Sequence, residues 1–327
     1  MQKCKACRMA NNAKAKKKPK EWKRWGKKYV DNRDWPKYNE ELVARGEFYL
    51  AYSWIESWEK ELEEMNKGKV GARYEFPESF IEFLAVLHQW LDCRALEGIA
   101  RKLAEFGKIP KHASYSAISR RINKVKTSFK LPQSGNCEAS CDGTGMKFGN
   151  AGQYKARMYG GKREKYIKAT ITANPKTGDL YACTVSAEGE GKSEPETAER
   201  DMKYLIMHGI TVQKFYGDGA FDALDLFAFL EKHKIESAIK IRKTAVLKGD
   251  DSLRDKELLL YKKKGYRKWA KEKEYGRRWV GTEGIFSAVK RKFGEQTRSK
   301  KLINALNEVE RKFWAYERMK QYAKARV

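Results

Sequence analysis

The stretch TVQKFYGDGAFD, residues 211–222, combines a short strand-forming segment with an acidic residue just past its end. Residues 211–216 are rich in β-branched and aromatic side chains, which favours a strand. Asp218 follows between Gly217 and Gly219, whose lack of side chains leaves room for a ligand beside the carboxylate. In open α/β sheets, ligands bind beyond the carboxyl ends of the strands. The stretch therefore predicts an α/β fold with a functional acid at Asp218.

Two further stretches carry acids in comparable settings. In CDGTG, residues 141–145, Asp142 lies within a predicted strand and is followed by a glycine. In RRWVGTEGIFS, residues 277–287, Glu283 lies on a predicted helix. The spacing i, i+4, i+7 places Glu283, Ser287 and Lys290 on one face of that helix, opposite its packing side. The lysine would then be placed to hold a phosphate.

Three carboxylates brought together by folding would suit divalent metal ions. Hard oxygen ligands favour Mg²⁺ or Mn²⁺, and two such ions about 4 Å apart support phosphoryl transfer. We therefore expect Asp142, Asp218 and Glu283 to be catalytic residues that bind two ions. Each acid also has an ordinary structural alternative, as a turn, loop or surface-helix residue.

The order of the predicted elements around these acids indicates a ribonuclease-H-like domain, an α/β fold with a mixed five-stranded sheet and flanking helices. Strands are predicted at 139–149, 165–173, 179–186, 211–216 and 236–241, and helices at 196–208, 223–234, 278–294 and 301–325. Asp222 is expected to cap the helix that follows it. Residues 243–276 are highly charged and look like a surface insertion.

The N-terminal part of the chain has a different pattern. Residues 1–25 are lysine-rich and are expected to be a disordered arm, and residues 26–130 form a helical region before a catalytic domain at 131–327. Two short helices near 96–125, the second of them basic, suit a helix-turn-helix that enters a major groove of DNA. We expect Arg120, Arg121 and Lys124 of the second helix to contact DNA. A plain packing bundle is the alternative.

The charge of the chain also favours DNA as a partner. Basic residues outnumber acidic ones by 70 to 43, which gives a formal net charge of +27. The excess is concentrated in residues 1–30, with 12 basic and one acidic residue, and in residues 240–301, with 21 basic and 8 acidic residues. A charge so clustered and one-sided indicates a polyanion more than a heat-adapted surface.

Several classes of protein are disfavoured by composition. No apolar run is long enough to span a membrane, and the basic N-terminus has no apolar stretch behind it, so we expect a cytoplasmic protein without a secretory signal. The six cysteines are expected to be reduced thiols; zinc at Cys4 and Cys7 or at Cys137 and Cys141 is the less favoured alternative. No nucleotide-binding loop is present, and no small-molecule cofactor is expected.

These stretches, in this order, resemble the DDE transposases of prokaryotic insertion sequences, near the fourth and fifth insertion-sequence families. The resemblance covers roughly residues 80–325. It implies a ribonuclease-H-like domain that cuts transposon ends and joins them to target DNA, with Asp142, Asp218 and Glu283 as the triad. It also implies binding to terminal inverted repeats, a homodimer or larger synaptic assembly, and a nucleoid location.

The family's last-helix signature of Tyr, Arg, Glu and Lys would be filled by Tyr275, Arg278, Glu283 and Lys290, the first, second and fourth as DNA contacts. The chain departs from this signature because four residues, not three, separate Arg278 from Glu283. On an unbroken helix the arginine would point away from the acid. Either Gly281 marks a break that restores the register, or Arg278 has lost the family's role.

Two other functions remain open from the sequence. A different ribonuclease-H-like nuclease, such as a junction resolvase, would cut DNA without joining it. A retired transposase kept as a sequence-specific DNA-binding regulator would bind ends and change nothing in them.

Overall fold

The computed structural model describes residues 34–133, 135–149 and 166–327. At its centre is a mixed sheet with the strand order β3-β2-β1-β4-β5. The strands are β1 Asn136–Lys147, β2 Tyr166–Ala173, β3 Leu180–Ala187, β4 Thr211–Gly217 and β5 Glu236–Ile239. The first three pair antiparallel, while β4 lies parallel to both β1 and β5. The predicted ribonuclease-H-like sheet is confirmed.

The turn between β2 and β3 is built from residues that favour a tight hairpin. The side chain of Asn174 accepts hydrogen bonds from the backbone N–H groups of Lys176 and Thr177, at 2.8 and 3.2 Å. Gly178 has a φ of +67°, a conformation that side chains other than hydrogen disfavour. The hairpin therefore follows from local sequence, which fixes the register of β2 against β3.

The alternation of side chains along β1 assigns its two faces. Cys137, Ala139 and Cys141 point into a core formed with α7 Glu194–Met207 and α8 Leu224–Lys232. Met146, on the opposite face, joins a second core. Because successive residues of a strand face opposite ways, Asp142 lies on the side of the second core. The four cysteines of the described residues are free thiols, whereas Cys4 and Cys7 lie outside those residues.

The second core joins the sheet to the helical region. Its helices are α2 Ser53–Glu56, α3 Trp58–Asn66, α4 Glu78–Leu87, α5 Cys93–Glu105, α6 Tyr115–Ile122, α11 Glu283–Phe293 and α12 Leu302–Lys324. Two further helices pack beside it: α1 Trp35–Glu47 against α12, and α10 Arg278–Gly281 against β1 and α11. Trp54, Phe80 and Leu96 of the N-terminal helices pack in one cluster with Ile171 of the sheet and Phe313 of α12. The helical region and the sheet thus share a continuous core.

The stretch predicted as a charged surface insertion contains a packed helix. This helix, α9 Leu253–Glu272, is kinked at Gly265, whose φ is +69° and ψ 160°. Leu258 and Trp269 are fully buried in spite of the surrounding charge. Among the described residues, no helix is both long and apolar enough to cross a membrane.

Asp222 was expected to cap α8, and this prediction is wrong. The residue at the cap position is Ala223, and no side chain makes a capping hydrogen bond there. Asp222 is instead buried and accepts hydrogen bonds from the backbone of Arg242, at 3.0 Å, and from Arg254 Nε, at 2.7 Å. Asp222 therefore forms a long-range ion pair instead of a local helix cap.

Candidate functional site

One pocket of about 340 Å³ contains all three predicted acids. It lies where β1 and β4 run beside each other, and α10 and α11 cover it. The lining residues are Asp142, Gly143, Thr144, Asp218, Arg278, Glu283, Phe286, Ser287 and Lys290. Folding therefore brings together residues that are up to 148 positions apart in the chain.

Both carboxylate oxygens of Asp142 accept hydrogen bonds. Its Oδ1 accepts a hydrogen bond from the backbone N–H of Gly143 at 2.8 Å, and Arg278 Nη1 donates to its Oδ2 at 3.2 Å. Burial raises the pKa of Asp142 to about 6, against the lowering effects of the Gly143 hydrogen bond and of Arg278. The charges of Asp218 and Glu283 add to the rise in that pKa. A cation in the pocket would relieve this crowding of negative charge.

Asp218 lies in a tight turn at the carboxyl end of β4. Its Oδ1 accepts a hydrogen bond from the N–H of Ala220 at 2.7 Å, so the acid caps a short 3₁₀ helix at residues 219–221. A Cβ at position 217 would come within 2.8 Å of the Phe221 ring, which explains why a glycine precedes the acid. Backbone geometry thus fixes the direction of the Asp218 side chain.

The turn that carries Asp218 is also stabilised by hydrogen bonds from an arginine outside the pocket lining. Arg242 donates from Nε to the carbonyl of Gly219 at 2.6 Å and from Nη2 to that of Ala220 at 3.0 Å. The buried pair of Asp222 and Arg254 lies next to it. Sequence reasoning missed this support, because its members come from separate elements and no local pattern links them.

Glu283 reaches the pocket because the last predicted helix is broken. α10 ends at Gly281, Thr282 has a non-helical φ of −130° and ψ of −79°, and α11 begins at Glu283. A Cβ on Gly281 would lie 3.0 Å from the carbonyl oxygen of Asn174 and 3.1 Å from Pro175 Cα, so only glycine fits there. Of the two possibilities left by the sequence, the break is the one observed, and it brings Arg278 back into the pocket.

The face of α11 follows the expected pattern. Glu283, Ser287 and Lys290 line the pocket, while Ile285 and Val289 are buried in the core on the other side. Sequence reasoning assigned Phe286 to packing alone, yet its ring also forms part of the pocket wall. Thr144 was not singled out, and only its place two residues after Asp142 on the same strand face could have indicated it.

Tyr275 is not where a DNA contact would be. Its side chain is 4% exposed, and the Arg278 guanidinium lies 5.2 Å from its ring centroid. Trp269 of α9 packs against the same ring at 5.1 Å. Burial raises the pKa of the Tyr275 hydroxyl. The structure therefore corrects the expectation for Tyr275: its buried ring packs against the Arg278 guanidinium and does not reach the surface.

The three basic residues predicted on the helix-turn-helix do not line the pocket. Arg120 and Lys124 are exposed on and just after α6. Arg121 is half-buried, pairs with Glu78 at 2.7 Å and donates to the carbonyl of Phe76 at 3.2 Å. The side chain of Arg121 is therefore engaged in holding α6 against the start of α4.

The chemistry of the pocket fits a divalent cation, although the acids do not form a ready-made chelate. Within the part of the chain that the structure describes, no three His, Cys, Asp or Glu side chains are grouped closely enough to hold one ion. Asp142, Asp218 and Glu283 offer the hard oxygen donors that Mg²⁺ and Mn²⁺ prefer. The Arg278 guanidinium already donates to Asp142. A positively charged side chain therefore occupies part of the pocket between the acids.

Solved transposases align with most of the chain at low similarity. The piggyBac transposase synaptic complex with hairpin DNA is 12% identical, with 87% of this chain and 78% of that chain covered and a TM-score of 0.31. The Mos1 strand transfer complex is 12% identical, with 91% and 98% covered and a TM-score of 0.22. Among curated proteins, none matches the chain. The assignment of a family therefore depends on family models.

Two family models, both described as a transposase DDE domain, match the chain. One covers residues 133–317, more than half of the sequence, and spans all three acids, Arg278 and Lys290. The other covers residues 43–151, which include most of the helical region and β1. Members of this family depend on divalent metal ions in general. With an acid pocket of the expected composition and a family match over most of its fold, the chain belongs to the DDE transposases.

Proposed function

We propose that this transposase binds the terminal repeats of a prokaryotic insertion sequence, cleaves the DNA there and joins the ends to target DNA. The observation that carries the proposal is the shared pocket, in which Asp142, Asp218 and Glu283 lie beside Arg278 and Lys290. Acids that hold cations and bases that hold phosphates are both needed for phosphoryl transfer on a polyanion. The protein would act in the cytoplasm, at the nucleoid.

The three acids are the proposed ligands of two Mg²⁺ or Mn²⁺ ions. When bound, such ions activate a water or 3′-hydroxyl and stabilise the leaving oxygen. The protein's own part is positioning. Gly143 and Ala220 each donate a backbone hydrogen bond to one oxygen of an aspartate, and the proposed metal ligands are the second oxygens, of which that of Asp142 accepts from Arg278 in the structure. The break at residue 282 turns Glu283 towards them.

The two cations of the pocket are proposed to hold DNA phosphates. Lys290 lies two turns along α11 from Glu283, on the same face. Arg278 can bind a phosphate through two N–H groups at once, and in the structure it donates to Asp142. Entry of metal and DNA would exchange that carboxylate partner for a phosphate. The Tyr275 ring, which packs against the guanidinium, would keep the Arg278 side chain in place during this exchange.

The remaining division of labour is also part of the proposal. The arm at residues 1–25 and the helical region at 26–130 would bind the terminal repeats, with Arg120 and Lys124 towards the DNA, and residues 131–327 would perform catalysis. Two ends must be held together for joining, so we propose a homodimer or a larger synaptic assembly.

A strand-transfer assay tests this function. Purified protein is mixed with labelled duplexes from the element's own ends, supercoiled plasmid and Mg²⁺ or Mn²⁺. Asp218→Asn removes one proposed ligand, and Asp225→Asn, an exposed residue on α8, is the matched control. We expect label on the plasmid with the wild type and with Asp225→Asn, and none with Asp218→Asn.

Other products would replace the proposal. Cleavage without joining would support a nuclease or resolvase. Specific binding of the ends without any product would support a retired transposase that acts as a regulator. If Asp142→Asn, Asp218→Asn and Glu283→Gln all joined ends as well as the wild type, the assignment of the triad would be wrong.

A further inference from the structure

The kinked helix α9 has an exposed face that is mostly basic, and its one exposed acid, Glu272, pairs with Lys264. Its cations without an ion-pair partner among the described residues are Lys262, Lys263, Arg267, Lys268 and Lys271, all of them exposed. Long cationic side chains normally gain little from one another and repel. Because no acid of the described residues pairs with these five cations, the face is suited to bind an anionic group of another molecule.

Two of the three acids of the same helix, Asp255 and Glu257, are turned inwards. Asp255 is buried and accepts hydrogen bonds from the backbone of Lys248 and Gly249, at 2.8 and 2.7 Å. Glu257 is buried and pairs with Lys273 at 2.7 Å. The acids therefore neutralise interior groups and loop ends. Because these two acids are removed from the surface, the exposed part of the helix keeps a large excess of positive charge.

The kink lies between the unpaired cations. Gly265 leaves helical geometry, with a φ of +69° and a ψ of 160°, and a Cβ there would meet no atom within 4 Å. Lys262 and Lys263 precede the kink directly, while Arg267 and Lys268 follow it. The bend is thus an exposed corner with two unpaired cations on each side.

Packing fixes this corner next to the acid pocket. Trp269 is fully buried and contacts Tyr275, which in turn lies under Arg278, the partner of Asp142. At the other end of α9, Arg254 pairs with the buried Asp222 behind the turn of Asp218. The helix therefore touches the supports of two proposed metal ligands.

The dimensions of α9 suit double-stranded DNA. Twenty helical residues extend over about 30 Å, somewhat less with the kink. One turn of a DNA duplex is about 34 Å long. Phosphates follow each other at about 1.7 Å along the axis when both strands are counted. The unpaired cations occupy residues 262–271, about 15 Å of this length, so a duplex that reaches the pocket could bring several phosphates within their reach.

We propose that the basic face of α9 binds the phosphate backbone of the duplex that enters the acid pocket. The inference rests on the proposed function, and it deepens it by naming the surface that holds the DNA. Lysine and arginine contacts to phosphates position a duplex and carry no sequence information. The face therefore serves duplexes of any sequence, while recognition of the repeats falls to other parts of the chain.

Charge neutralisation with a matched control tests the proposal. One variant changes Lys262, Lys263 and Lys268 to Gln. The control changes Lys203, Lys232 and Lys234 to Gln, which are exposed lysines on or next to α7 and α8 and outside the proposed DNA contacts. Binding of a labelled duplex of arbitrary sequence is measured by fluorescence anisotropy between 50 and 300 mM KCl, after circular dichroism has shown that both variants are folded.

We expect the α9 variant to lose up to about 2.7 from the slope of log affinity against log salt, because each phosphate contact contributes about 0.9. Its Kd at 100 mM salt should rise by at least about tenfold. The control should keep the wild-type slope. Equal changes in both variants, or no change in the α9 variant, would overturn the proposal.

Lysine acetylation on the unaltered protein gives an independent measurement. Mass spectrometry should find Lys262, Lys263 and Lys268 protected by duplex DNA and Lys232 unprotected. Protection by anionic phospholipid vesicles but not by duplex would overturn the proposal. A wild type that joins ends while α9 stays unprotected sinks only this inference. A wild type that binds no duplex at all sinks the proposed function itself.

Discussion

Two basic helices of this transposase, α6 and α9, differ in what their cations meet. On α6, Arg121 pairs with Glu78, and Arg311 from the buried face of α12 donates to the carbonyl of Ile122 at the helix end. On α9 two acids are buried, the third pairs with Lys264, and five exposed cations have no ion-pair partner among the described residues. A count of basic residues cannot separate the two cases. The carboxylates and carbonyls that surround each cation decide whether it holds the fold together or is left for a ligand.

The same difference extends to what the two helices support. α9 is packed against the residues that hold Arg278 and Asp218. α6 is packed against α4 and α12, in the core shared with the sheet. A disturbance near α9 should therefore reach the pocket, while a disturbance of α6 should reach stability first.

The largest expected effect comes from the buried pair that supports the Asp218 turn. Asp222→Asn leaves Arg254, whose side chain is 11% exposed, without its counter-charge. Removal of one member of a buried ion pair typically costs about 3 kcal/mol or more. We expect a loss of about that size in the free energy of unfolding, measured with urea, and a loss of strand transfer.

Asp225→Asn is the control for this change, because Asp225 is exposed on the same helix. Its unfolding free energy should stay within about 0.5 kcal/mol of the wild type. If Asp222→Asn were as stable and as active as this control, α9 would not support the pocket, and the contrast between the two helices would fail.

A smaller effect is expected from pH, and only at the pocket. The folded-state pKa of Asp142 is raised to about 6 by burial, so in the metal-free protein its contribution to stability is full below its ordinary value near 4 and is lost as pH rises through 6. Metal binding has the opposite dependence, since the ion needs the carboxylate ionised. We expect Mn²⁺ affinity to fall up to about tenfold per pH unit below pH 6.

Thermal unfolding with and without Mn²⁺ measures this effect, because a ligand of the folded state raises the Tm. The rise should be larger at pH 7.5 than at pH 5. Asp142→Asn should remove most of the Mn²⁺-induced rise at both pH values. A rise that is the same at both pH values in the wild type would show that Asp142 is not a ligand.

The smallest effects compare two neighbouring arginines of α6. Arg121→Gln loses an ion pair and a hydrogen bond and should cost about 0.5–1 kcal/mol of stability, with little change in DNA affinity. Arg120→Gln should leave stability unchanged and weaken DNA binding a few-fold, as expected for one lost phosphate contact. Urea unfolding and anisotropy provide the two measurements. Unchanged DNA binding by Arg120→Gln would argue against α6 as a DNA contact.

Local sequence was sufficient for the sheet and for the identity of the acids. The hairpin at Asn174, the strand that ends at Asp218 and the face of α11 all follow from periods and turn residues within a few positions. These features depend on neighbours in the chain, which is why they could be predicted. The helical region was located equally well, since the repeat of apolar residues on α5 is regular.

The features that could not be predicted depend on distant partners. Trp269 and Leu258 are eleven positions apart on α9, with a kink between them, so no helical period revealed the buried side. Asp222 looked like a cap because its partner Arg254 is 32 residues away. Tyr275 was predicted as a DNA contact because nothing in the local sequence reveals that its ring packs against Trp269 of α9. In each case the outcome was decided by a contact that only the tertiary fold creates.

The junction at Gly281 and Thr282 has a consequence for how such chains change over time. An extra residue between Arg278 and Glu283 is absorbed where one helix stops and the next begins, and both side chains still reach the pocket. Gain or loss of a residue at this joint would therefore be survivable, whereas the same event inside α11 would rotate Lys290 by about 100° about the helix axis. Searches that demand a fixed count between the arginine and the glutamate would discard sequences that keep the same geometry.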